Sequence, residues 1–176
     1  MKLGEIKSLI KEWSVSLILL PVVIILLVNS GKFIPILDHI NLLFHEGGHG
    51  VFRIFGKFIY TLGGSIMQIL IPLLFIYYFY SNGIKAGTQV ALVYLGQNIL
   101  NISVYVSDAS KMNLPLLGGN KVYHDWNYIL GKLGLLTYDC VIGKVLFVSA
   151  AIIFMIAVVY PLIDKNYEQT DIEINL

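Results

Sequence analysis

Long apolar runs, separated by short polar or glycine-bearing breaks, constrain this chain more than any other feature. They extend from Trp13 to Val28, Ile34 to Phe55, Tyr60 to Tyr80, Lys85 to Ser107 and Cys140 to Leu162. A helix crosses the hydrocarbon of a bilayer with about 20 apolar residues and satisfies its backbone polar groups internally. Of the 176 residues, 57% are hydrophobic and 13% charged, against about 25% charged in soluble domains. The sequence therefore predicts one all-α integral membrane domain over 1–176, with five transmembrane helices in contact with the lipid bilayer. A short interfacial helix is expected from Trp126 to Leu136, within the long connection Asp108 to Asp139. The net charge of +1 offers no basic surface for nucleic acid. Cys140 is the sole cysteine, which excludes an internal disulfide and a cysteine metal cluster. Lys2, Lys7 and Lys11 precede the first run without a small-residue cleavage site after Val28, a pattern that reads as an uncleaved anchor.

Orientation is expected from the positive charges. If the five runs alternate direction, Lys2, Lys7, Lys11, Arg53, Lys57, Lys111, Lys121, Lys132 and Lys144 share the N-terminal side, and only Lys32, Lys85 and Lys165 face the other. This predicts a bacterial-type cytoplasmic membrane with the N-terminus inside. The acidic tail, with Asp164, Glu168, Asp171 and Glu173, would then lie outside.

Inside the second run stands His45-Glu46-Gly47-Gly48-His49. Imidazoles at i and i+4 stack on one helix face and can grip one metal ion, with the intervening Glu46 as base for a metal-bound water. Ionisable groups within an apolar helix are costly and mark function. The expected cofactor is a single zinc ion.

A catalytic zinc takes three protein ligands and keeps a fourth position open. Two candidates compete for the third place. Tyr94, Gln97, Asn101, Tyr105 and Asp108 form a polar stripe at helical spacing, with Asp108 at its end as a hard oxygen ligand. His124 is the rival, as the only His beyond the second run. Asn98 and Asn101 are candidates to orient ligands or hold an oxyanion. Asp125 is a supporting polar residue whose ordinary role would be to cap the helix that begins at Trp126.

Gly47, Gly48 and Gly50 leave room for another backbone near the metal. After Gly56 the segment Lys57 to Leu62 is rich in β-formers and is followed by Gly63 and Gly64. A short extended edge there would hold a peptide by main-chain hydrogen bonds, with Gly63 and Gly64 as substrate-binding positions.

These residues resemble the site-2 protease family of intramembrane zinc metalloproteases. The resemblance runs from about Leu37 to Gly119. His45, Glu46 and His49 match its HExxH helix, Asn98 or Asn101 followed by Asp108 matches its later Asn and Asp ligand, and Gly56 to Gly64 matches its substrate-holding strand. The family's usual Asn-x-x-Pro-x-x-x-Leu-Asp-Gly block is missing. Asn113 to Gly119 echoes it without the Asp, which makes this chain a divergent member. The resemblance implies a zinc metallopeptidase that cleaves a membrane-embedded protein substrate, with Glu46 as general base. The alternative is a non-proteolytic metal-binding membrane protein that handles or senses metal. The sequence leaves the oligomeric state open.

Overall fold

The computed structural model describes residues 3–114 and 124–164, with side chains from residue 12 onward. The described residues are helical and contain no strand. The helices are α1 (Leu3–Val28), α2 (Leu37–Phe52), α3 (Lys57–Ser81), α4 (Lys85–Ser107), α5 (Asp125–Leu133), α6 (Asp139–Val158) and a short α7 (Tyr160–Ile163). Pro115 to Gly119 and the acidic tail beyond Asp164 lie outside the described residues.

Helix α4 is the axis of the bundle, packed against α1, α3 and α6. Its register with α6 is antiparallel: Gln89 donates to the Ala157 carbonyl at 2.9 Å, and the Cys140 thiol lies 3.8 Å from the Ser107 carbonyl. Phe154 fills the space beside Gly96, where an added Cβ would meet its ring at 2.7 Å. Leu19, Val23 and Leu26 of α1 join Val93, Leu100 and Phe154 in one apolar core.

Helix α1, however, runs parallel to α4. Gln89 donates to the Ser16 hydroxyl at 2.8 Å, and further along both helices Gly31 approaches Val104. Helix α2 continues in the same direction, with Asp38 beside Gln97 and Asn101 and His45 farther on beside Tyr105. The chain does not reverse between α1 and α2, so the expected alternation of five spans fails. Among the described residues, three helical stretches are long and apolar enough to cross a membrane: Lys57–Ser81, Lys85–Ser107 and Leu136–Val158. Glu12–Val28 is a shorter apolar helix. The second expected span is only 16 residues of α-helix, about 24 Å against a hydrocarbon core of about 30 Å.

The extended edge expected at Lys57 to Leu62 is the first part of α3. Tyr60 N–H donates to the Gly56 carbonyl at 2.9 Å and the Thr61 hydroxyl to the Lys57 carbonyl at 2.8 Å. Packing against α2 overrides the β propensity of this segment. Gly63 meets Gly48 where the helices come closest: a Cβ on Gly48 would overlap the Gly63 carbonyl oxygen, and one on Gly63 would lie 2.8 Å from the Gly48 oxygen. Small residues here permit backbone contact between α2 and α3.

Candidate metal centre

His45 and His49 project from one face of α2, and both are buried. Their rings stand edge to face with centroids 4.7 Å apart. Each Nδ1 is committed to an oxygen of α3. His45 Nδ1 lies 2.9 Å from Gln68 Oε1, and His49 Nδ1 donates to the Tyr60 carbonyl at 2.8 Å. Both Nε2 atoms turn toward a single carboxylate oxygen, Asp125 Oδ2, at 2.9 Å from His45 and 3.2 Å from His49. The three ligand atoms all lie within 4.8 Å of one another.

This arrangement can hold a metal ion. A carbonyl oxygen has no proton to give, so His49 carries its hydrogen on Nδ1. Nε2 of the neutral ring is then a lone pair facing a carboxylate oxygen. Two such groups in contact need a positive charge between them, either a proton on the ring or a metal. One divalent ion serves both rings together. Donors bound at 2.0–2.2 Å around a tetrahedral zinc are separated by about 3.3 Å, within a few tenths of an ångström of the two nitrogen-to-carboxylate spacings. Fixing the outer nitrogen of each ligating His is the usual device that aims the inner one.

Asp125 enters from α5, at one end of the bundle. It is the first residue of that helix, with its side chain 13% exposed. It does not cap the helix: residue His124 stands at that position, without a side-chain capping bond. Burial pushes the Asp125 carboxyl up, but its contacts with His45 and His49 outweigh this and hold it below the ordinary carboxylate range. Trp126 Nε1 donates to the Ser65 hydroxyl at 3.2 Å, and Asn127 Nδ2 to the Ala109 carbonyl at 2.9 Å. These contacts fix α5 on α3 and on the end of α4.

The carboxylate that the structure brings to the His pair is Asp125, not the expected Asp108 or its rival His124. Asp108 is absent from the group formed by the His pair, and its carboxylate accepts the backbone N–H groups of Asn113 (3.1 Å) and Leu114 (2.8 Å). These bonds close the turn after α4. His124, the rival, is buried against Asp108, with Nε2 and Oδ2 3.4 Å apart. Burial pushes the His124 imidazole down, countered in part by Asp108. The polar stripe of α4 does face α2, but mainly one to two turns earlier than the His pair. Asp38 Oδ1 accepts Asn101 Nδ2 at 2.8 Å and Gln97 Nε2 at 3.3 Å, and Gln97 Oε1 accepts Asn41 Nδ2 at 2.8 Å. Asn98 is fully buried and donates to the Tyr94 carbonyl, so it belongs to α4 packing.

Glu46 is exposed. It follows His45 directly on α2 and stands three residues before His49. Gly64 packs directly on the His45 ring, where an added Cβ would come within 2.6 Å of either ring nitrogen. Gly63 and Gly64 therefore make room for α2 and for the His45 ring. Gln68 and the Tyr60 carbonyl escaped the sequence reading. The one available signal was Gln68 itself, a lone amide between Met67 and Ile69 in an apolar helix.

No family model, no curated protein and no solved structure matches this chain.

Proposed function

We propose that this protein is an intramembrane zinc metallopeptidase of the kind that the HExxH segment resembles, with His45, His49 and Asp125 as ligands and Glu46 as general base. The observation that carries this reading is the geometry of His49. Its proton is pinned on Nδ1 by a carbonyl while Nε2 faces a carboxylate, and zinc completes that arrangement. Bound there, zinc supplies Lewis acidity and brings the pKa of a coordinated water to about 7.

The remaining steps belong to the chain. Glu46, one residue after a ligand and open to solvent, takes the proton from the attacking water and returns it to the leaving amine. The rings stay fixed because Gln68 and Tyr60 hold their outer nitrogens, so geometry is set before substrate arrives. The substrate is a membrane-embedded helix, locally unwound so that its peptide bond is released from its own hydrogen bonds.

The cationic residues suggest which way the centre faces. On the observed helix directions, Lys32, Arg53, Lys57, Lys111, Lys132 and Lys144 lie toward the end that holds the metal centre. Lys7, Lys11 and Lys85 lie toward the other. The bias favours a centre that opens to the cytoplasm, which puts the N-terminus across the membrane rather than inside.

The alternative, non-proteolytic metal handling or sensing, draws on the same ligands but gives Glu46 no task. Glu46→Gln separates the two. Under the peptidase reading the variant binds zinc as the wild type does and loses cleavage of a membrane-embedded substrate by at least 100-fold, the scale of general base catalysis. Full cleavage by the variant would refute Glu46 as the base.

A further inference from the structure

We infer that Tyr105 is a positioning residue for the metal centre: its hydroxyl holds the first turn of α5 and so sets the Asp125 carboxylate between the two imidazoles. The inference rests on the metal-centre reading and extends it to a residue that touches no metal.

The first backbone N–H groups of a helix have no partner within it. In α5 the side chain at the capping position, His124, supplies none. The Asp125 N–H instead donates to the Tyr105 hydroxyl of α4 at 3.1 Å. The Tyr105 ring lies against His124, with centroids 4.4 Å apart, and 6.2 Å from the His45 ring. His124 faces Asp108, one turn beyond Tyr105 on the same helix face. The end of α4 thus contacts two consecutive residues: Asp108 and the Tyr105 ring lie against His124, and the Tyr105 hydroxyl accepts the Asp125 N–H.

This grip matters because Asp125 is the one ligand outside α2. The His pair is rigid through the α2–α3 contact. The carboxylate reaches it from a separate helix, whose rotation would swing Oδ2 away from both nitrogens. Trp126 and Asn127 also anchor α5, but of these three side chains Tyr105 is the one that accepts the Asp125 backbone N–H.

The test is zinc affinity of the purified full chain in detergent, with cobalt substitution as a second readout. Tyr105→Phe keeps the ring against His124 and removes only the hydroxyl. It is expected to weaken zinc binding about 10- to 100-fold, the range for outer partners of a metal site, to shift the visible cobalt bands, and to leave the zinc-free protein folded with a cooperative melt. Asn127→Ala loosens α5 elsewhere and serves as the comparison, with an expected loss of about threefold or less, below that range. Equal losses in the two variants, or wild-type affinity and cobalt bands in Tyr105→Phe, would overturn the inference while leaving the metal centre intact. Failure of the wild type to bind zinc or cobalt would remove the metal-centre reading itself, and this inference with it.

Discussion

The ring of His49 and the carboxylate of Asp125 meet with Nε2 and Oδ2 3.2 Å apart, although α3 and α4 separate the two residues in the sequence. Asp125→Asn removes the charge but keeps the shape. The variant should lose zinc affinity by more than about 100-fold, beyond the loss typical of outer partners. Asp108→Asn should stay within about tenfold of wild type, because Asp108 ties a turn and not the ion. A competition titration with a chelating dye ranks the two, and the reverse order would restore Asp108 as ligand.

Gln68 fixes the proton of His45 from the middle of α3. Gln68→Leu leaves Nδ1 buried without an acceptor and frees the tautomer. Zinc affinity is expected to fall about 10- to 100-fold. Nitrogen NMR of the labelled imidazoles should show a mixture of tautomers at His45 and a single one at His49.

The glycines of α2 are not equivalent. Gly48→Ala drives a methyl group into the Gly63 carbonyl and should destabilise the bundle by about 1–3 kcal/mol, the cost of overpacking. Gly50→Ala meets nothing within 4 Å and should be neutral or stabilising by up to about 1 kcal/mol through helix propensity. Thermal melts of the two variants in one detergent make the comparison.

Acid should release α5 late. The folded Asp125 carboxyl titrates below its ordinary value of 3.8, so the stability it contributes is fully present above that value. It is lost as pH falls through the lower folded value. In metal-free protein carrying Trp13→Phe, the fluorescence of Trp126 should hold steady from pH 7 to about 4 and change only below. A transition centred above pH 4 would contradict this.

Cys140 is the only cysteine and lies exposed at the end of the bundle where His45, His49 and Asp125 meet. With that end cytoplasmic, a membrane-impermeant maleimide should leave Cys140 unmodified in intact cells and label it after permeabilisation. Labelling of intact cells would reverse the orientation.

The all-helical fold and the paired faces of α2 were legible because they depend on local spacing. Hydrophobic runs mark helices, and i, i+4 imidazoles share a face wherever the helix goes. The direction of α2 was not legible, since a run of apolar residues carries no sign of whether the chain has reversed. Asp125 was misread for a similar reason. A carboxylate just before an apolar helix ordinarily caps it, and nothing local reveals that two histidines from α2 arrive on its other side. Asp108 attracted attention as the end of a real polar stripe. The stripe's partners were Asp38 and Asn41, themselves visible in the sequence but without a pattern to pair them with Gln97 and Asn101.

The parallel course of α1 and α4 has a consequence for biosynthesis. Ser16 leaves the ribosome 73 residues ahead of Gln89, its partner in the finished bundle, a wait of roughly 4–15 s at ordinary elongation rates. His49 likewise emerges long before Asp125, the acid that faces it. The first helix is therefore made before its partner on α4, and the group of His45, His49 and Asp125 is complete only when the segment after α4 has been made.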